Sequence, residues 1–338
     1  MSEPILHNLT IPPRANNSET YRWCDYIELR CLTHKDKRFS RDAFAEAIEE
    51  NQDTGAAADE TDLLEMEDVE EADNSESDIE PISDRDEARS AFCFRHLRWR
   101  QKAFADAWPF QLDEHAQEVQ LKPALTPAQT LYLSLLLSSS LKYCPKKRRR
   151  ELTGRFERVS ISIFRKLMPA KSNVHAFGAA ESKHYKGHLF KRLTKLAQDV
   201  RGYLHLKQEH FATSDSGDGG LDIVAWHDLG DQREGIPIAF AQCGCTAGGW
   251  PNKMLEASPA RLGGGLVTRH DWATYYFMPL DLSTEIDGKM DWQMLSDIGK
   301  AIVIDRLRFI RLADANEFTD KELIGTGPVE EACGMTLT

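Results

Sequence analysis

No apolar run in this chain approaches the roughly eighteen residues that a membrane-spanning helix needs. The longest candidate, Leu131 to Leu141, is interrupted by serines. The first residues, Met1-Ser2-Glu3-Pro4, lack a basic stretch leading into an apolar one, so no secretory signal is expected. Cysteine is sparse and odd in number: seven residues, at positions 24, 31, 93, 144, 243, 245 and 333, with no disulfide-scaffold spacing. These absences predict a reduced, cytoplasmic protein with no membrane partner. No Gly-x-Ser-x-Gly elbow is present, which argues against a serine hydrolase of that type. Neither Gly217 to Gly220 nor Gly263-Gly264-Gly265 leads into Gly-Lys-Ser or Gly-Lys-Thr, so no phosphate-binding loop is expected. No internal repeat suggests a solenoid or propeller.

The chain has 338 residues, with a hydrophobic fraction of 41%, ordinary for a globular protein, and a formal net charge of −12. That charge is unevenly spread. Residues 46–88 hold 19 acids against one base, Arg85, and the remainder carries 41 basic and 35 acidic residues. The body is therefore mildly basic, as suits a nucleic-acid binder. Within it, Lys146-Lys147-Arg148-Arg149-Arg150 is a run able to contact phosphates.

Composition divides the chain into four stretches. Residues 1–50 form an N-terminal cap segment, with Ser40 placed to cap a helix from Arg41 to Glu50. Residues 51–86, rich in Asp, Glu, Ala and Ser, bury too little to offset their conformational entropy and predict a disordered acidic linker. Residues 87–150 predict a helical region, including a helix that Thr126-Pro127 opens. Residues 151–338 predict an α/β core with a C-terminal extension, with helices over Thr153–Leu167 and Glu181–Val200. Strands are expected at Leu221–Trp226 and Ile236–Gln242, then a short helix with Pro251 in its first turn. Alternating segments Trp272–Leu282 and Ala301–Leu312 predict further strands and a closing helix.

Asp222 follows a glycine-rich lead-in, Ser216-Gly217-Asp218-Gly219-Gly220-Leu221, and opens the apolar run Ile223-Val224-Ala225-Trp226. Twenty residues later, Gln242 closes the run Ile236-Pro237-Ile238-Ala239-Phe240-Ala241. Two adjacent strands that each present an oxygen ligand at one end suit a divalent-metal phosphodiesterase site. A carboxylate at the head of a buried strand is costly without a cation or donors, which favours a metal-binding role for Asp222 over a turn cap. Asp218 reads mainly as a solvated turn residue. Cys243-Gly244-Cys245 lacks the spacing and second pair of a structural zinc site and reads as buried strand-end thiols.

These segments, with Cys243, Thr246, Trp250 and Lys253 following Gln242, resemble the PD-(D/E)xK, or restriction-endonuclease-like, nuclease superfamily. The likeness is to the branch with Gln in place of the second acid, and to bacterial proteins found near phage-defence genes. It spans roughly residues 125–312 and includes Leu131–Leu137, Arg155-Phe156-Glu157, Phe177-Gly178 and Ile304-Asp305-Arg306-Leu307-Arg308. The resemblance implies a mixed sheet flanked by helices behind a helical N-terminal region. It also implies Mg²⁺ (or Mn²⁺), a nucleic-acid substrate such as double-stranded DNA, and other defence-system proteins as partners. Asp222 and Gln242 would hold the metal, with Glu157 as a third ligand. The motif's lysine should stand two residues after Gln242, where this chain has Gly244, and Lys253 is the expected replacement. That exchange leaves open a catalytically degenerate, nucleic-acid-binding or adaptor subunit. His184, His188, His205 and His210 show no ligand spacing and read as surface or supporting residues.

Overall fold

The computed structural model describes residues 3–13, 19–53, 82–113, 115, 117–178, 182–211, 219–316 and 326–336. The chain is an α/β protein built on a mixed five-stranded sheet flanked by helices. Three short strands near the N-terminus, β1 (Arg38–Ser40), β2 (Phe110–Leu112) and β3 (Glu118–Leu121), make a separate antiparallel sheet. The main sheet runs in the order β12 (Ile302–Ile304), β9 (Ala273–Phe277), β7 (Ile238–Cys243), β6 (Ile223–Trp226), β4 (Asn173–Ala176). Strands β4, β6 and β7 form an antiparallel meander, and β7, β9 and β12 are parallel. Strands β5 (Tyr203–Leu204) and β8 (Leu266–Val267) pair with each other, as do β10 (Ser283–Ile286) and β11 (Lys289–Trp292).

Every residue of β6 is buried, which explains its unbroken apolar reading rather than an alternating one. Side chains alternate between two cores. Ile223, Ala225, Ala239 and Ala241 face the helix Lys146–Leu167, whose Phe156, Val159, Ile163 and Phe164 belong to the same cluster. Val224, Trp226 and Phe240 face the opposite way, with Leu189, Leu193 and Leu196 of the helix Leu189–Asp199. A third cluster joins Tyr276 and Val303 to Trp250 and Met254 beyond β7.

Several elements match their expected signals. Ser40 accepts from the Ala43 N–H at 3.1 Å and starts the helix Arg41–Asp53. Thr126 and Gln129 form a capping box on Pro127–Ser139, a helix buried on most faces. Other elements differ. The helix expected from Thr153 begins at Lys146, so the basic run is its first turn and a half. The helix expected from Glu181 begins at Leu189, after Gly187 takes a φ of 94° that breaks the preceding turn. Most of the expected acidic linker, 51–86, lies outside the described residues. Helices reach Asp53 on one side and start at Ile82 on the other, and 54–81 lies outside the described residues.

The N-terminal helices join the sheet through the apolar cluster around Leu131–Leu137 and through a buried charge network. Arg306 and Arg100 are fully buried. Arg306 grips Asp25 with two bonds of 2.9 and 2.7 Å and donates to Ser139 at 2.8 Å and to the Pro279 carbonyl at 2.8 Å. Arg100 reaches Asp25 at 2.8 Å, Glu28 at 3.0 Å and Asp281 at 2.8 Å. Trp108 and Tyr132 also donate to Glu28, at 3.0 and 2.9 Å. Against the upward push of burial, Arg306 and Arg100 hold Asp25 below the usual carboxylate range, and Arg100 does the same for Asp281.

Candidate metal and nucleic-acid site

The register of the sheet lines up one row of side chains across four strands. Ile223 faces Ala241, so Asp222 and Gln242 are cross-strand neighbours just beyond, and the Asp222 N–H donates to the Ala241 carbonyl at 3.1 Å. On one side, Phe177 stands opposite Asp222 and donates its N–H to the Asp222 carbonyl at 2.7 Å. On the other, Gln242 pairs with Tyr276 of β9. Asp222 and Gln242 are each half-buried. The two oxygen ligands read from the sequence therefore meet on one face, at one end of the sheet.

Local geometry explains the glycine-rich approach. Gly219 and Gly220 have φ of 67° and 80°, left-handed values that ordinary residues avoid. A Cβ on Gly220 would also lie 2.7 Å from the Glu256 Cβ. Glu256 is thereby brought beside the strand that leads to Asp222, as a second carboxylate that no motif signalled. Asp218 lies outside the described residues. The Asp222 Oδ2 accepts from the Cys243 N–H at 2.7 Å, which fixes the carboxylate. Its Oδ1 faces Gly178, where a Cβ would stand 3.9 Å away.

Two polar atoms in this row have no hydrogen-bond partner among the described residues: the buried Gln242 Oε1 and the Tyr276 hydroxyl. Leaving such groups unpaired costs about 1–3 kcal/mol each, and sites that take a ligand are where such a cost is met. The donor set suits a hard cation, with a carboxylate and an amide oxygen side by side. Among the described residues, no three His, Cys, Asp or Glu side chains converge as a metal-ligating group. Glu157 approaches from the Lys146–Leu167 helix on the other face of the sheet. It and Asp222 both act on the thiols of Cys243 and Cys245, which burial, then these charges, push far up. Those thiols stay protonated; Cys245 is buried, as expected of a strand-end thiol, whereas Cys243 is half-buried.

The absent strand lysine has a physical cause. A Cβ on Gly244 would collide with the Tyr276 hydroxyl and stand 2.8 Å from the ring carbon Cζ. The glycine therefore leaves no opening, because Tyr276, fully buried, already occupies it. Burial first, then the nearby Cys245, Cys243, Glu256 and Asp222, raise the Tyr276 hydroxyl and keep it neutral. In sequence, Tyr276 reads only as another strand residue. Lys253 lies at the end of a one-turn helix, Trp250–Lys253, entered through Gly249 in the left-handed region with φ of 64°. Its ammonium leans back to donate to Thr246 at 3.2 Å, in the loop just after β7.

The basic run is not uniform. Arg148 pairs with Glu331 at 2.6 Å and Glu151 at 3.3 Å, and the Arg149 Nε donates to the Cys144 carbonyl at 2.8 Å. Lys146, Lys147 and Arg150 are exposed. Five cations at the N-terminus of a helix oppose its dipole, so this local arrangement carries a cost. No protein-family model, curated protein or solved structure matches the chain.

Proposed function

We propose that the chain is a metal-dependent nuclease that hydrolyses phosphodiester bonds, with double-stranded DNA as its substrate and defence against phage or plasmids as its setting. One observation carries this reading: Asp222 stands beside Gln242 at one sheet end, with the Gln242 Oε1 buried and unpaired among the described residues. The mildly basic body outside the acidic segment supports a polyanionic substrate. The order of a three-strand meander followed by parallel strands, flanked by helices, supports a restriction-endonuclease-like core.

In this reading Asp222 and Gln242 would hold Mg²⁺ or Mn²⁺, with Glu256 completing the shell in place of Glu157, which stands on the helix across the sheet. Such an ion would supply Lewis acidity to a phosphoryl oxygen and acidify an attacking water. The chain's own residues do the positioning. The Cys243 N–H fixes one oxygen of Asp222 and so orients the carboxylate. Lys253, anchored by Thr246, supplies positive charge near the reacting phosphate. Lys146, Lys147 and Arg150 contribute phosphate contacts along the duplex.

Tyr276, seated over Gly244, favours a second reading, in which the fold binds nucleic acid as an adaptor and does not cut it. Calorimetric titration with Mn²⁺ and a cleavage assay separate the two. The nuclease reading expects Mn²⁺ binding and Mn²⁺-dependent cutting, both lost in Asp222→Asn. Wild-type protein that binds DNA but neither binds Mn²⁺ nor cuts would establish the adaptor reading.

A further inference from the structure

Strand β4 is the edge of the main sheet, and a cavity of about 420 Å³ opens along it. Its walls include Arg165 from the Lys146–Leu167 helix, His175 from β4, and Ser182, Lys183 and His184 from the segment that follows. Among the described residues that line it, none is a carboxylate. Asp199, beside His184, is already committed to Lys195 at 2.5 Å, His184 at 2.9 Å and Tyr185 at 3.0 Å. His175 and His184 lie stacked, with ring centroids 4.1 Å apart and planes 15° from parallel.

The backbone adds donors. Phe177 gives its N–H to Asp222, so by antiparallel alternation Phe177 and His175 point toward β6. The N–H groups of Val174 and Ala176, both of which line the cavity, then point outward at the open edge. The pocket thus combines two outward amides, a guanidinium, an ammonium and two imidazoles, drawn from three segments. That set matches the acceptor oxygens of a phosphate. Burial first, then His184, lowers the pKa of His175, with Arg165 and Lys195 adding to the effect against Asp199. The surroundings of this ring are therefore positive on balance, with Asp199 the opposing charge.

Position suggests the source of the anion. Asp222 stands opposite Phe177, and His175 is two residues along the same strand. Two steps of about 3.3 Å, combined with one inter-strand spacing of about 4.8 Å, put the two Cα atoms roughly 8 Å apart. A nucleic-acid strand crossing Asp222 would bring a neighbouring phosphate into this range. We infer that the pocket between Arg165, His175, Lys183 and the edge of β4 holds a phosphate of the nucleic-acid strand, adjacent to the one at Asp222. The identity of that strand rests on the nuclease reading, and the phosphate chemistry stands on the pocket itself.

The test uses the full chain and the double variant Arg165→Ser with Lys183→Ser, both exposed positions whose replacement leaves the core intact. Oligonucleotide affinity is measured across a salt series, and histidine ring signals, assigned with His175→Asn, are followed by NMR. Two lost contacts should weaken binding at 0.1 M salt by about 30-fold and flatten the salt slope by about 1.5 to 2. Oligonucleotide should shift the His175 signals of the wild type and not those of the double variant. If inorganic phosphate shifts these signals while the variant binds oligonucleotide like wild type, the pocket serves a free anion and the inference fails. It fails equally if neither probe shifts them. Failure of Mn²⁺ binding with the histidine result intact would overturn the nuclease reading and leave the phosphate pocket standing.

Discussion

Replacing Arg306 by Met should unfold the protein more readily than any surface change, and the charge network gives the size of the effect. Arg306 is fully buried and donates to both oxygens of Asp25, to Ser139 and to the Pro279 carbonyl. Methionine fills much of the volume but returns none of these bonds. Arg100 would then face Asp25, Glu28 and Asp281 as the sole guanidinium. Stranding a buried carboxylate in this way costs about 3–5 kcal/mol. With a urea slope of about 3 kcal/mol/M, the denaturation midpoint should fall by about 1 to 1.5 M. The partner change Asp25→Leu, made in the same chain, removes the stranded charge and should recover more than half of the loss. A midpoint shift under about 0.3 M for Arg306→Met would refute the reasoning. Equal damage in the single and double variants would assign the cost to packing.

Acid sensitivity follows from the same network. Asp25 and Asp281 are held low in the folded state, so their stabilisation is present above the unfolded carboxylate value, near 3.8, and drains away as pH falls below it. Wild type should lose stability steeply below about pH 4 and the Arg306→Met, Asp25→Leu variant less steeply; parallel pH profiles of urea midpoints would contradict this. Tyr276→Phe removes an unpaired buried hydroxyl and should stabilise the metal-free protein by about 1 kcal/mol in urea unfolding, while a loss of stability would mean the hydroxyl has a partner after all. Gly244→Lys cannot replace Lys253, because Tyr276 occupies its path; the variant should lose about 3 kcal/mol or more by overpacking, and a wild-type melting curve would refute the collision. In the basic run, Arg148→Gln should lower stability through its lost pairing with Glu331, whereas Lys147→Gln with Arg150→Gln should flatten the salt slope of DNA binding by about 2 and spare the fold.

The pairing of Asp222 with Gln242 was legible because both signals are local. A glycine-rich turn, two buried apolar runs and strand periodicity are enough to bring two strand ends together. Lys253 was legible for the same reason, since Pro251 and the glycines before it fix a single turn next to the strand. Tyr276, Glu256 and His175 were not legible. Tyr276 and Glu256 reach their places against Gly244 and Gly220, far away in sequence, His175 is set by its stack on His184 across a loop, and each looks like routine strand or surface composition on its own. Arg306 shows the same limit from the other side. It sits in a stretch that the superfamily resemblance singled out, and its partner is Asp25, almost at the opposite end of the chain. The start of the Lys146 helix was missed because five cations contradict the usual preference for acids there.

The separation between Asp25 and Arg306, 281 residues along the chain, also bears on synthesis. Asp25 and Glu28 leave the ribosome early, inside a helix that must bury them. Arg100 follows within the same N-terminal half, but Arg306 is made only after every strand of the main sheet, since β12 ends two residues before it. Until then the nascent N-terminal helix has an acid with half of its counter-charge, and docking it is unfavourable. Completion of the sheet and locking of the N-terminus therefore coincide in time. A chain that stops before Arg306 should remain open at its N-terminal helix, exposing the apolar surface around Leu131–Leu137 that quality-control machinery recognises.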